Sequence, residues 1–345
     1  MILSELLERS PFLEEKVPHG TLDKWYFFGI MLRIKGVIMT VSRTEQLHKE
    51  AEGLDARPTD AVLDILLRGQ LEAAASVRDA LPAISRAAEL ASGLIGAGGR
   101  LGYIAAGSSG LMALADGLEL PGTYGIPQEC VVILFPGGTA GLHKMIGGPE
   151  DDTAQAVSDV LDSRLGKGDC VIGLSASGST PYTVSALHAA RAHGARTVAI
   201  ANNEGAPIFD NADMAVLLKT PPEVIAGSTR MGAATAQKIA LNLFSTLMAI
   251  RLGHVHDGQM VNLRADNGKL KGRAVGIIAA IAQCDPKVAE SRLDTAEGSI
   301  KTAILLAAGV PDAAAARDIL ERTGQKLRPA LSMIEGSTRS TKPAA

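Results

Sequence analysis

The sequence predicts an α/β fold: a parallel sheet covered by helices on both faces, with a small helical appendage after it. Three observations carry that prediction. Short β-branched runs alternate with helical segments between residues 100 and 218. Two of those runs end in nearly the same turn of small and hydroxyl residues, and from about residue 266 the chain is Ala-rich and helical in spacing.

The elements follow in order. Residues 58–94 place Ala61, Ile65, Leu66, Val77, Leu81 and Ile84 at the spacing of helices that bury one face. "RLGYIAA" (100–106) then reads as a strand and "SGLMALADGLE" as a helix. "CVVILF" (130–135) is the next strand and "TAQAVSDVLDSRL" (153–165) the next helix. "CVIGLS" (170–175), the helix "TPYTVSALHAARAHG", and the strands "ARTVAIAN" (195–202) and "ADMAVLL" (212–218) complete the alternation. A long helix from about Thr229 to Arg251 closes the unit, which spans 43–265. The segments "PKVAESRLDTA", "SIKTAILLAAG" and "DAAAARDILERTG" predict a helical subdomain over 266–332, and "STRSTKPAA" predicts a disordered tail over 333–345. Residues 1–42 read differently. They hold Phe12, Trp25, Tyr26, Phe27 and Phe28 without a clear period, and Met39 offers a second start, so they are expected to be an extension dispensable to the body.

Composition excludes several classes of function. Charged residues make up 21% of the 345 residues, with a net charge of -3 and no basic run, so the electrostatic footprint of nucleic-acid binding is missing. Aromatic residues, at 3%, are too few for a base-stacking surface. The apolar run "WYFFGIML" is too short to span a bilayer, which needs about 20 residues. Cys130, Cys170 and Cys284 are far apart and fit no metal-ligand spacing, as expected of buried free thiols in a reducing cytoplasm. His254 and His256 lack an obvious third ligand and read as a solvated pair; no metal or cofactor is expected.

Chemistry concentrates at the two turns, "AAGSSG" (105–110) and "SASGSTP" (175–181). In an open parallel sheet, ligands bind beyond the carboxyl ends of the strands, where both turns fall. Small residues let the backbone approach an anion, hydroxyls add donors, and the helix that follows directs its N-terminal amides at the turn. Simple helix capping is the competing explanation for serine at these places. "GAGGRLG" (96–102) precedes a strand, where a dinucleotide fingerprint must follow one, and "GLSAS" lacks the last glycine of a hydrolase elbow. Three carboxylates lie near the turns: Glu119 in "ADGLELPGTYG", Glu150 in "GGPEDD" and Glu223 in "PPEVIAGSTR".

Those stretches together resemble the sugar isomerase (SIS) domain of phosphosugar-binding proteins, a flavodoxin-like sheet. Within that group the chain is most similar to the N-acetylmuramic acid 6-phosphate etherases. The likeness rests on "RTEQ", "GRLGYIAAGSSG", "DGLELPGTYG", "GGPEDD", "DCVIGLSASGSTPYTVSAL", "EVIAGSTRMGAATAQKIALNLFSTLMAIRLG" and "ADNGKL", in that order along the chain. It implies a cofactor-free carbon–oxygen lyase that opens the lactyl ether of N-acetylmuramic acid 6-phosphate, or of a related 6-phosphosugar, by acid–base elimination and then hydration. Glu119 would be the general acid and Glu150 the general base. Ser108, Ser109, Ser175, Ser177 and Thr180 would form the phosphate and sugar turns, with Glu223 and Ser228 lining a third segment. The partner it implies is a phosphorylated amino sugar, and the assembly a cytoplasmic homodimer with its ligand site near the subunit interface. A non-catalytic sensor like the glucokinase regulatory protein, and a phosphosugar isomerase with Glu223 as base, are the alternatives. The chain departs from the family at Leu111 and Ser179, where arginines are usual, at Leu120 and Gly122 in the run after Glu119, and at Gly232 and Gly268, where Lys and Glu are usual.

Overall fold

The computed structural model describes residues 31–34, 37–40, 42–144, 147–265 and 267–340. They belong to two units, residues 1–41 and residues 42–345. In the first, β1 (Met31–Ile34) pairs antiparallel with β2 (Val37–Thr40). The rest of the expected N-terminal extension lies mostly outside the described residues.

The second unit begins with helices α1 (Thr59–Ser76) and α2 (Leu81–Gly96), within the stretch whose apolar spacing is helical. A tight 3-10 turn over Val77–Ala80 separates them, and Pro82 opens the second helix. Proline has no N–H to continue the first helix and is suited to begin another.

The alternation then builds the sheet. It runs β3 (Leu101–Ala105), α3 (Gly107–Gly117), α4 (Leu120–Tyr124), β4 (Val131–Leu134), α5 (Gly138–Lys144), α6 (Thr153–Ser163), β5 (Cys170–Ser175), α7 (Pro181–Ala192), β6 (Arg196–Ala201) and β7 (Met214–Leu217). The strands lie in the order β4-β3-β5-β6-β7, all parallel, with Leu101 opposite Cys170 and Cys170 opposite Arg196. Side chains alternate between the two faces, as a period of two requires. Leu101, Tyr103, Ile172, Leu174, Val198 and Ile200 face one core, shared with α2 and with α8 (Gly232–Arg251). Ile104, Val171 and Ala199 face the other, shared with α6 and α7. The expected α/β architecture is present, with helices on both faces.

After α8 the sequence signal "DG" at Asp257 and Gly258, both at positive φ, turns a small hairpin, β8 (Val255–His256) with β9 (Gln259–Met260). Helices α9 (Gly268–Ala282), α10 (Pro286–Thr295), α11 (Ile300–Ala307), α12 (Ala313–Arg322) and α13 (Leu327–Ser340) follow and bury a core of their own around Ile278, Leu293, Ile304 and Leu320. Two expectations are corrected here. The tail from 333 is helical as far as Ser340, because Leu327, Ala330, Leu331 and Ile334 keep one face packed on that core. The histidine pair is not solvated. The His254 ring donates to the Tyr124 carbonyl, and burial lowers its pKa to about 4, while the His256 side chain is only 10% exposed. Of the three free cysteines only Cys170 is fully buried; Cys130 and Cys284 are half-buried. Among the described residues no helix is long and apolar enough to cross a membrane.

Candidate active site

Strand order reverses between β3 and β5, the place where open parallel sheets bind ligands, and both serine-rich turns lie beyond the carboxyl ends of these strands. Ala105 pairs with Leu174, so the turns leave the sheet side by side. Each runs directly into a helix whose first amides have no carbonyl partner within it. Side chains cap α6, α9, α10, α11 and α12 through Asp152, Asn267, Asp285, Ser299 and Asp312. Neither α3 nor α7 has such a cap, although serine and threonine are abundant there. Capping therefore does not explain these hydroxyls. The arrangement suits an anion instead, because the amides and the helix dipole both favour negative charge.

The second turn is braced from within. Ser175, 2% exposed, accepts the Gly178 N–H at 3.0 Å and shares a 2.8 Å hydrogen bond with the Thr180 hydroxyl. Ser177 accepts from the N–H and hydroxyl of Ser179 at 3.2 and 3.1 Å. Gly178 sits at φ +72°, and a Cβ there would lie 2.3 Å from Ala206 Cβ, so only glycine permits this turn. Ser175 thus shapes the turn, while Ser177 and Thr180 are its half-buried, ligand-accessible members. Asn203, at the end of β6, holds the same turn from outside. Its amide donates to the carbonyls of Ala176 (3.3 Å) and Ser177 (3.2 Å) and to the Thr44 hydroxyl (3.1 Å), and it accepts the Thr44 N–H. Sequence reasoning passed over Asn203 and Thr44. The available signal was the pair "NN" at a strand's carboxyl end, but nothing local links it to residue 44.

Glu150 comes to the first turn. Gly107 is at φ +53°, and a Cβ on it would lie 3.2 Å from Glu150 Oε1, so the carboxylate rests against the bare backbone of the turn. Burial, with the neighbouring Asp151 second, raises the Glu150 pKa above the ordinary glutamate range. Ser109, in the first turn of α3, is buried, and Ser108 is half-buried.

Glu119 does not join them within one chain. It follows the other end of α3, exposed, with its N–H on the Asp116 carbonyl at 3.3 Å. Twelve helical steps from Gly107 amount to roughly 18 Å, beyond the reach of a glutamate side chain. Glu223 is 6% exposed, and its two oxygens accept the N–H groups of Gly232 (2.9 Å) and Ala233 (2.8 Å) at the start of α8. Ser228 is half-buried on the connecting loop, its N–H on the Ile225 carbonyl. Leu111 and Ser179 are both exposed.

The chain is also similar to known proteins. Residues 151–250 match the SIS domain family. An N-acetylmuramic acid 6-phosphate etherase of Deinococcus radiodurans is 41% identical over 264 residues, 76% of this chain and 87% of that protein. One from Mycolicibacterium smegmatis is 40% identical over 294 residues, covering 85% and 98%. A solved putative phosphosugar isomerase from Bacteroides fragilis NCTC 9343 is 21% identical, covers 58% of this chain and 95% of that one, and superposes with a TM-score of 0.44. At these identities over most of its length, the chain belongs to the N-acetylmuramic acid 6-phosphate etherases.

Proposed function

We propose that this protein cleaves the lactyl ether of N-acetylmuramic acid 6-phosphate, giving N-acetylglucosamine 6-phosphate and D-lactate. The observation that carries it is the pair of uncapped, serine-rich helix N-termini at the sheet's switch point, with the Glu150 carboxylate laid against one of them. The turns hold the phosphate and so position carbons 2 and 3 of the opened sugar from a remote anchor. Glu150 takes the proton from carbon 2. The carbon 3–oxygen bond breaks as Glu119 protonates the departing lactate oxygen, and water then adds across the new double bond. An isomerase using Glu223 as base is disfavoured, since both Glu223 oxygens are engaged by α8 amides.

Acid and base must both reach the same pair of carbons, and one chain separates them by too much. The reading is completed by a homodimer in which Glu119 comes from a second copy. An apolar groove of about 610 Å³ runs between α2 and α8, lined by Leu81, Ile239, Leu243, Leu247 and Ile250. Leu81, Leu243 and Ile250 are 39–43% exposed, and Leu118 beside Glu119 is 67% exposed. Exposed leucines Leu63, Leu67 and Leu71 form a further apolar stripe along α1. A second copy of the same face covers such a surface in the symmetric way typical of dimers.

The direct test is lactate release from N-acetylmuramic acid 6-phosphate, with the unphosphorylated sugar as control. Release is expected from the phosphorylated sugar alone. Ser177→Ala and Thr180→Val are each expected to weaken phosphosugar binding by roughly 1–3 kcal/mol. Equal turnover of both sugars would remove the phosphate from the account.

The pH profile is a separate check. A base works only when ionised, so kcat/KM should rise with pH through the raised Glu150 pKa, over a window above the ordinary glutamate range. Asp151→Asn removes a negative neighbour, eases ionisation and should move this limb to lower pH. A limb that stays put or moves upward in Asp151→Asn would assign it to another group.

A further inference from the structure

We propose that Asp116 is a positioning residue for Glu119, an inference resting on the reading of Glu119 as the general acid. Asp116 lies in the last turn of α3 and is 2% exposed. Its Oδ2 accepts the Tyr103 hydroxyl at 2.8 Å. Its Oδ1 accepts from Asn242 Nδ2 at 3.0 Å and from Ser245 Oγ at 2.9 Å. One carboxylate therefore ties the end of α3 to strand β3 on one side and to helix α8 on the other.

A buried carboxylate is a costly way to join three elements, since apolar side chains of similar volume usually do so with less loss of solvation. What it adds is direction, because each hydrogen bond fixes an angle as well as a distance. Helix ends fray unless their last carbonyls find partners, and Glu119 directly follows the end of α3. The Asp116 carbonyl accepts the Glu119 N–H, so the clasp is one hydrogen bond from the acid's own backbone. On the far side, the Tyr124 hydroxyl shares a 2.9 Å hydrogen bond with Thr246, and the Tyr124 carbonyl accepts from Asn262 at 3.0 Å. Residues 116–124 are thus pinned at both ends to one stretch of α8, with Glu119 exposed between the pins. Asn242 and Thr246 also line the apolar groove, so the same helix face that meets a second copy holds the acid in place.

The test is steady-state kinetics of lactate release by Asp116→Asn and Ser245→Ala, each alone and combined with Glu119→Gln, with melting temperatures alongside. Both substitutions keep volume or nearly so. The expected result is a fall in kcat of ~tenfold or more with KM changed less than about threefold, because displacing a reacting group by about 1 Å costs up to ~10²-fold. In the Glu119→Gln background neither should lower kcat further. If Asp116→Asn does not fold, Ser245→Ala and Tyr103→Phe remove single hydrogen bonds and read the same quantity. Wild-type kcat in the folded variants, or a loss that multiplies with that of Glu119→Gln, would overturn the assignment. Full kcat in Glu119→Gln alone would instead remove the acid itself, and the positioning role with it.

Discussion

Replacing Glu150 by Gln is expected to lower kcat for lactate release by at least ~10²-fold, with phosphosugar binding and melting temperature close to those of the unmodified protein. The expectation follows from where the carboxylate is. It lies against Gly107 at the mouth of the first turn, and among the described residues no backbone N–H caps it in the way that Gly232 and Ala233 occupy Glu223. Gln keeps the shape and loses the basicity, so the loss isolates proton transfer from packing. Burial raises the Glu150 pKa toward the pH at which a base is most effective, so its removal withdraws a tuned group. Retention of more than a tenth of wild-type kcat by a folded variant would take Glu150 out of the mechanism.

The second large effect is a recovery. Glu119→Gln and Glu150→Gln homodimers should each be nearly inactive. A heterodimer of the two, co-expressed with different affinity tags and purified through both, should regain about half the wild-type rate. In a two-fold dimer whose sites each take Glu150 from one copy and Glu119 from the other, one site of the heterodimer is intact and the second lacks both groups. If acid and base came from the same chain, every site would lack one of them and no rate would return. Failure to isolate any heterodimer, with the protein monomeric by light scattering, would remove the shared site altogether.

Within the site, what was legible in the sequence was local. "AAGSSG" and "SASGSTP" could be placed at strand ends because apolar runs and helical spacing bracket them, and the structure puts both beyond the carboxyl ends of the parallel strands. Glu150 and Glu119 stood out through the likeness to the etherases, since a lone glutamate carries no signal of its own. Sequence spacing could not separate the roles of hydroxyls within one turn. Ser175 folds inward as a brace while Ser177 stays accessible, because Ser175 is the last residue of β5 and Ser177 lies beyond the strand, in the turn itself. Glu223 likewise read as a ligand-lining residue, and its carboxylate caps α8.

The amino-acid sequence by itself determined the alternation of strands and helices, the turns between them and the separate core of the C-terminal helices. These follow from periods of two and about 3.6 residues, and from glycines whose backbone no other residue tolerates. Only the tertiary structure decided which segments meet. Strand order put β3 beside β5 and so joined two turns separated by some seventy residues of chain. It brought Asn203 to Thr44 and Asp116 to Ser245, pairs 159 and 129 residues apart. It also laid the Glu150 carboxylate against Gly107 of the first turn. Periodicity reports what one element presents to its surroundings, whereas adjacency between distant elements is settled by how their apolar faces pack, and no local pattern encodes that.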